Sequence, residues 1–190
     1  MSQAATTRTL DGLELPAEGS WVIDPSHSSV SFTARHLMVS KVRGNFGTFT
    51  GRLNIDDVPE RSSAEVTIDA RSINTNDAKR DEHLRSADFL DAETYPTLRF
   101  RTNGLERTGS TSFKLQGELA IKDVTRPVTL DVNYEGTVTD PWGNTKVGFS
   151  ASTEIDREEF GITWNAALET GGVLVGKIVR IELEIEAAHA

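Results

Sequence analysis

The chain has 190 residues, no cysteine and a formal net charge of −9. That length suffices for one domain with a core of its own. The acidity argues against a nucleic-acid partner, because phosphate binding needs clustered Lys and Arg. The absence of thiols excludes a disulfide framework, a thiolate metal site and a cysteine nucleophile.

Residues 1–20 are polar, small and aperiodic, and are predicted to form a disordered tail. Their apolar set, Leu10, Leu13 and Leu15, offers a second reading, a cover over a barrel mouth. The start lacks the basic-then-apolar pattern of a secretory signal. No apolar run approaches the ~20 residues needed to span a bilayer. The chain is therefore expected to be cytoplasmic and without a transmembrane segment. Transient contact with a membrane and a homodimer both stay open.

Residues 21–190 are expected to be one domain. From Trp21 onward the period is two, the mark of strands with one buried face. Val30, Phe32, Ala34 and His36 share one side of the first long strand. Phe49, Gly51, Leu53 and Ile55 share one parity in the next, with Phe46 out of phase. Gly44, Gly47 and Gly51 crowd that stretch and predict a bulge or sharp bend. Val66, Ile68 and Ala70 form a third inner face. Leu98, Phe100 and Thr102 form the next, followed by Phe113, Leu115, Gly117, Leu119 and Ile121. Val128, Leu130, Val132, Tyr134 and Gly136 come after these, then Val147, Phe149, Ala151, Thr153 and Ile155. Val179, Ile181, Leu183, Ile185 and Ala187 complete the set.

One stretch breaks this rhythm. Residues 81–100, DEHLRSADFLDAETYPTLRF, have apolar positions at mixed spacings. Asn76 and Asp77 can cap a short helix through Arg85. Tyr95-Pro96 then imposes an extended residue before a new strand. The stretch reads as a helical plug between strands. Long antiparallel strands with one apolar face must close into a sandwich or a barrel, or edges and face stay exposed. Consecutive hairpins and glycine-marked bends favour the barrel.

The chemistry-bearing residues are sparse. His27, His36 and His83 lie on three separate elements, so their spacing does not specify a metal site. No G-x-S-x-G elbow accompanies the serines. Gly171-Gly172 precedes a strand, whereas a phosphate loop opens a helix. No catalytic set, cofactor or metal is expected. The aromatics Phe32, Phe49, Phe100, Phe113, Tyr134 and Phe149 share the inner face with small residues, among them Ala34, Gly51, Gly117, Gly136 and Ala151. Small residues between rings suggest room for a slender apolar guest.

Ordered pieces of the chain carry a family resemblance. They are Trp21-Val22-Ile23-Asp24-Pro25-Ser26-His27-Ser28, Val42-Arg43-Gly44-Asn45-Phe46, then His83, Leu84, Ser86, Asp88, Phe89, Asp91, Tyr95 and Pro96. Gly117-Glu118-Leu119, Val124-Thr125-Arg126-Pro127-Val128, Arg157, Phe160, Gly161 and Gly176 follow. Together these resemble the YceI-like family. The resemblance implies an all-β, eight-stranded antiparallel lipocalin-like barrel whose apolar tunnel holds a long-chain isoprenoid or fatty amphiphile. It implies no catalytic residues. On that reading Phe32, Ala34, Phe49, Phe100, Phe113, Leu115, Val132, Tyr134 and Phe149 line the tunnel. His36 and Trp164 stand near its mouth, and Phe89 and Leu90 close part of the wall. Two other readings remain: an enzyme acting on a bound amphiphile through His36 or His83, and a dry structural barrel that acts through its surface.

Overall fold

The computed structural model describes residues 7–10 and 12–190. Two short strands, β1 (Thr7–Leu10) and β2 (Leu13–Pro16), pair as a separate antiparallel hairpin. The remaining strands are β3 (Gly19–Ile23), β4 (Ser29–His36), β5 (Ser40–Phe46), β6 (Phe49–Ile55), β7 (Ser63–Asp69), β8 (Ile73–Asn74), β9 (Thr97–Arg107), β10 (Ser112–Ile121), β11 (Val124–Thr139), β12 (Thr145–Asp156) and β13 (Val175–His189). One helix, α1 (Ala78–Arg85), interrupts them.

The strands close on themselves. β13 pairs with β12 on one side, and on the other with β4 and then β3. β3 with β4, β5 with β6 and β7 with β8 each act as one broken wall strand. The wall is thus a closed eight-stranded antiparallel barrel. Closure removes the edges that an open sheet would expose.

The breaks have local causes. β5 and β6 bend at Gly47-Thr48, where Gly47 N donates to Ser72 O at 3.1 Å and Asp69 N donates to Thr48 O at 2.9 Å. This is the bend that the glycine crowding predicts. β3 and β4 part at residues 24–28, where Ser28 Oγ donates to Glu186 O at 3.2 Å and Glu186 N donates to Ser28 Oγ at 2.9 Å.

Residues 78–96 seal one end of the barrel. Asp77 caps α1, its Oδ1 accepting from Lys79 N and Arg80 N at 3.1 and 3.0 Å. Buried Asp81 accepts from Thr75 N at 2.8 Å and Thr75 Oγ1 at 2.5 Å, and Arg80 Nε donates to Thr75 Oγ1 at 2.7 Å. Phe89, Leu90 and Ala92 are buried behind the helix with Phe160 and Ile162. This plug end also carries the β4–β5 turn and the β10–β11 turn. The opposite end carries the β6–β7, β9–β10 and β11–β12 loops, and the β1–β2 hairpin lies against it.

That hairpin differs from the disordered tail expected for this region. Leu15 is 4% exposed and packs with Trp21, Phe113, Tyr134, Val147 and Ala187. The stabilising contact is tertiary, so no local periodicity announces it. Residues 1–6 and 11 of the expected tail lie outside the described residues.

Candidate functional site

Alternation sends every second side chain inward, and the interior is incompletely filled. A cavity of about 240 Å³ lies within the barrel, with lining that reaches from Ile121 and Val128 near the plug to Arg8 and Pro59 near the hairpin. Nearly all of its wall is carbon. Phe32, Phe100, Phe113, Leu115, Val132, Tyr134 and Phe149 line it, as the sequence led us to expect. Phe32 meets Phe46 at 5.8 Å between ring centroids, and Tyr134 meets Phe149 at 5.7 Å.

Six residues expected to meet the ligand, Ala34 and Phe49 in the lining, His36 and Trp164 at the mouth, and Phe89 and Leu90 in the wall, lie outside the lining. Ala34 faces the right side, but β4 has run past the cavity there, and Ala34 sits between Val42 and Val179. His36 is two pairs further out, at the β4–β5 turn. Phe49 is buried in the packed core shared with Phe89 and Leu90. Trp164 stacks into the plug, 4.6 Å from the His83 ring and 5.4 Å from Phe89. These residues build the floor of the barrel, and the cavity stops short of them.

The small residues also work differently from expectation. A Cβ on Gly117 would lie 2.6 Å from the Phe100 ring, and one on Gly44 would lie 2.4 Å from Phe32 Cζ. One on Gly51 would lie 2.5 Å from Ile23 Cδ1. These glycines admit neighbouring side chains. Of the small residues named above, only Ala151 borders the cavity.

Sequence reasoning missed several lining groups. Ile181, Leu183 and Ile185 had the correct parity, while Leu105 follows a register shift opposite Gln116 and Gly117. Arg8, Leu15, Pro16, Pro59, Ser62 and Ser63 come from irregular or short elements that carry no readable period.

Most of the polar lining gathers at the hairpin end, where Arg8, Asn54, Ser62 and Ser63 meet, while Ser31 and Thr153 lie further along β4 and β12. Arg8 is the one charged residue in the lining among the described residues. Its Nη1 donates to Asp57 O at 2.6 Å and its Nη2 donates to Asp56 O. Its Nε is buried and makes no hydrogen bond among the described residues. Tyr134 spends its hydroxyl on Thr137 Oγ1 at 2.6 Å. Burial raises the Tyr134 pKa, so its phenol stays protonated at neutral pH.

The histidines do not converge. His83 Nε2 pairs with Asp88 Oδ2 at 2.8 Å on the plug. His27 lies outside the wall with Asp24 and Glu186, a group of suitable ligand types for a metal. Lys146 Nζ already occupies that position, 3.0 Å from Asp24 Oδ2 and 3.2 Å from Glu186 Oε1. Hydrogen bonds from Ser26, His27 and Lys146, in that order, hold the Asp24 carboxyl well below the usual range. An internal ammonium thus neutralises the acids that a cation would need.

Buried Arg157 belongs to the framework. Its Nη1 donates to Ile162 O at 2.8 Å and Trp164 O at 2.9 Å, its Nε to Gly176 O at 2.9 Å and its Nη2 to Val175 O at 3.3 Å. It fixes the segment that leads from β12 to β13.

Comparison with known proteins agrees with this geometry. The chain matches the YceI-like domain over residues 21–187. A UPF0312 protein of Staphylococcus aureus is 38% identical over 169 residues, spanning 87% of this chain and 95% of its own. The Campylobacter jejuni YceI protein superposes with a TM-score of 0.71 at 28% identity, covering 82% of this chain and 90% of its own. A polyisoprenoid binding domain from Saccharophagus degradans has the same fold, with a TM-score of 0.67 at 14% identity over 92% of this chain and 100% of that one. The motif order, the plugged eight-stranded barrel and these matches place the chain in the YceI-like family.

Proposed function

We propose that the protein binds a single long-chain amphiphile, isoprenoid or fatty, inside the barrel, and carries or sequesters it. The observation behind this reading is the carbon-lined cavity whose charged lining residue, Arg8, stands at one end together with most of the polar lining groups. A slender chain fits such a space along the barrel, with its head group beside Arg8 and its tail toward the plug. The S. degradans relative is described as a polyisoprenoid binding domain, which fits the same ligand class. Each CH₂ leaving water gains ~0.8 kcal/mol, but a chain that comes from a bilayer is already dry. The net preference for the barrel is then small, which suits a carrier that must release its cargo. We assign no catalytic role, since His36 and His83 both stand away from the cavity lining, and we expect the protein to act in the cytoplasm.

The test is solvent extraction of the purified protein followed by mass spectrometry, with uptake of a fluorescent long-chain fatty acid by the lipid-free form. Ala151→Phe fills the lining and is expected to reduce both by severalfold. Ala34→Phe, outside the lining, is the control. Absence of extracted lipid together with absence of uptake would overturn the reading in favour of a dry barrel. Turnover of the bound compound would replace the carrier with an enzyme.

A further inference from the structure

The β4–β5 hairpin has a feature that the cavity does not require. Its turn, Leu37-Met38-Val39, points three apolar side chains at solvent, exposed by 39, 61 and 84%. Leu37 and Met38 also hold left-handed backbone, with φ of 52° and 62°. Residues with larger side chains rarely take that conformation, and a turn built for solubility would place Asn or Gly there. Val173 extends the apolar patch from the neighbouring segment, which is tied to the turn where Leu37 N donates to Leu174 O at 2.9 Å.

The charge around this tip is opposite to that of the whole protein. No Asp or Glu occurs between Asp24 and Asp56, although the chain as a whole has a net charge of −9. The hairpin instead carries Arg35, Lys41 and Arg43, all exposed. These three cations make no ion pair among the described residues. Of the acids on adjoining elements, Glu158 is engaged by Lys177 at 2.7 Å and Glu182 by Arg180 at 3.2 Å, while exposed Glu169, on the segment that carries Val173, makes no ion pair among the described residues. An apolar tip flanked by free cations is complementary to one surface in particular, the interface of an anionic bilayer. There apolar side chains enter the acyl boundary and each basic residue meets lipid head groups.

We infer that the β4–β5 hairpin docks the protein on anionic membrane, with Leu37, Met38 and Val39 entering the interface and Arg35, Lys41 and Arg43 binding its phosphates. The inference stands apart from the cavity reading, because an empty barrel presents the same surface. The two fit together in one respect. Phe32 and Phe46, on the same hairpin, line the cavity near its carbon-lined end.

The test is co-sedimentation of the full chain with vesicles. Wild type is expected to bind vesicles of mixed phosphatidylcholine and phosphatidylglycerol roughly a hundredfold more tightly than pure phosphatidylcholine, since each of three basic residues is worth about fivefold at an anionic surface. Binding should weaken in ~0.5 M salt, where screening is strong. Met38→Asp with Val39→Asp, and separately Lys41→Glu with Arg43→Glu, should each lower binding more than about tenfold at an unchanged melting temperature. Equal binding by wild type and both variants would overturn the inference. Binding that responds to charge reversal but ignores the apolar pair would reduce it to plain electrostatics and overturn insertion. Failure to bind any vesicle, with a concentration-dependent dimer abolished by Val39→Asp, would assign the tip to a second copy of the chain instead.

Discussion

The two ends of the barrel are closed by different physics. At the plug end, charged side chains bind backbone carbonyls: Arg157 reaches four of them, and Arg85 reaches Arg71 O and Ile73 O at 2.8 and 3.0 Å. At the hairpin end, a short two-stranded piece rests on one buried leucine and one arginine that binds a loop. The first arrangement leaves many polar groups stranded if one member is lost. The second loses mainly apolar contact. An end built on buried charge is difficult to open by degrees, whereas an end built on one apolar anchor can loosen without unfolding the wall.

The largest effect should come from the plug end. Arg157→Met removes a buried guanidinium and strands carbonyls of Ile162 and Trp164, each costing ~1–3 kcal/mol. The expected loss is ~3–5 kcal/mol, or a fall in melting temperature of ~10 °C or more for a domain of this size. A fall of only a degree or two would mean that water replaces the guanidinium, and the contrast between the ends would fail. At the hairpin end, Leu15→Ala should cost ~2–3 kcal/mol at most, in the lower range for buried leucines, because a surface hairpin can collapse into the space. Its signature should be local: faster amide exchange in residues 7–16 and unchanged exchange in α1. Matching loss of protection at both ends would show that they unfold as one unit.

Arg8 offers a smaller and sharper test of the same contrast. Arg8→Ala cuts the tie to the β6–β7 loop and removes the guanidinium from the cavity lining. On the proposed orientation it should weaken binding of a fatty acid by severalfold and leave a plain long-chain alcohol less affected, with a change in stability of about 1 kcal/mol or less. Equal losses for both ligands would place the head group elsewhere.

The contrast between the ends also describes what could be read from sequence. The plug was legible because Asp77 is a side-chain cap and Tyr95-Pro96 a backbone constraint, both local. The wall was legible because parity assigns a side, and Phe100, Phe113 and Tyr134 followed it inward. Parity does not give depth along the barrel axis. Ala34 and His36 therefore shared a face with Phe32 while lying beyond the cavity. The hairpin end was legible only as a second reading, a mouth cover built on Leu10, Leu13 and Leu15. Nothing in Leu13-Glu14-Leu15-Pro16 fixes Leu15 as buried, since of its partners Trp21 lies on the next strand and Phe113 and Val147 come from distant ones. Arg157 was recognisable as part of a motif, but its task depends on carbonyls that only the folded chain brings together.

The smallest expected effect lies between the two ends, at the break between β3 and β4, and it serves as their control. Asp24 accepts from Ser26 Oγ at 2.6 Å and Lys146 Nζ at 3.0 Å on the outer face of the wall. Its folded pKa lies below the ordinary value, through Ser26 first and then His27 and Lys146. A group depressed in this way contributes stability above its unfolded pKa of ~3.9 and loses it as pH falls through the folded value. The lysine has the complementary sense: Asp24 first and then Glu186 raise its pKa, so its share is complete below ~10.4 and is lost as pH rises above the folded value. Between about pH 5 and 9 both contributions are whole. Asp24→Asn should therefore lower stability by about 1 kcal/mol at pH 7, the upper end for ion pairs at a protein surface, because this pair is partly covered. The difference from wild type should stay flat to about pH 5 and begin to shrink below pH 4, as the unfolded wild type protonates the same carboxyl, with the rest lost only as pH falls through the folded value. Salt should narrow it as well. Denaturant unfolding at pH 7, 5 and 3 measures this directly. A difference that persists wholly undiminished at pH 3, where the unfolded carboxyl is already mostly protonated, would tie the loss to the hydrogen bonds of the Asp24 turn and not to its charge. Either outcome should leave exchange at both barrel ends unchanged, because neither end leans on this brace.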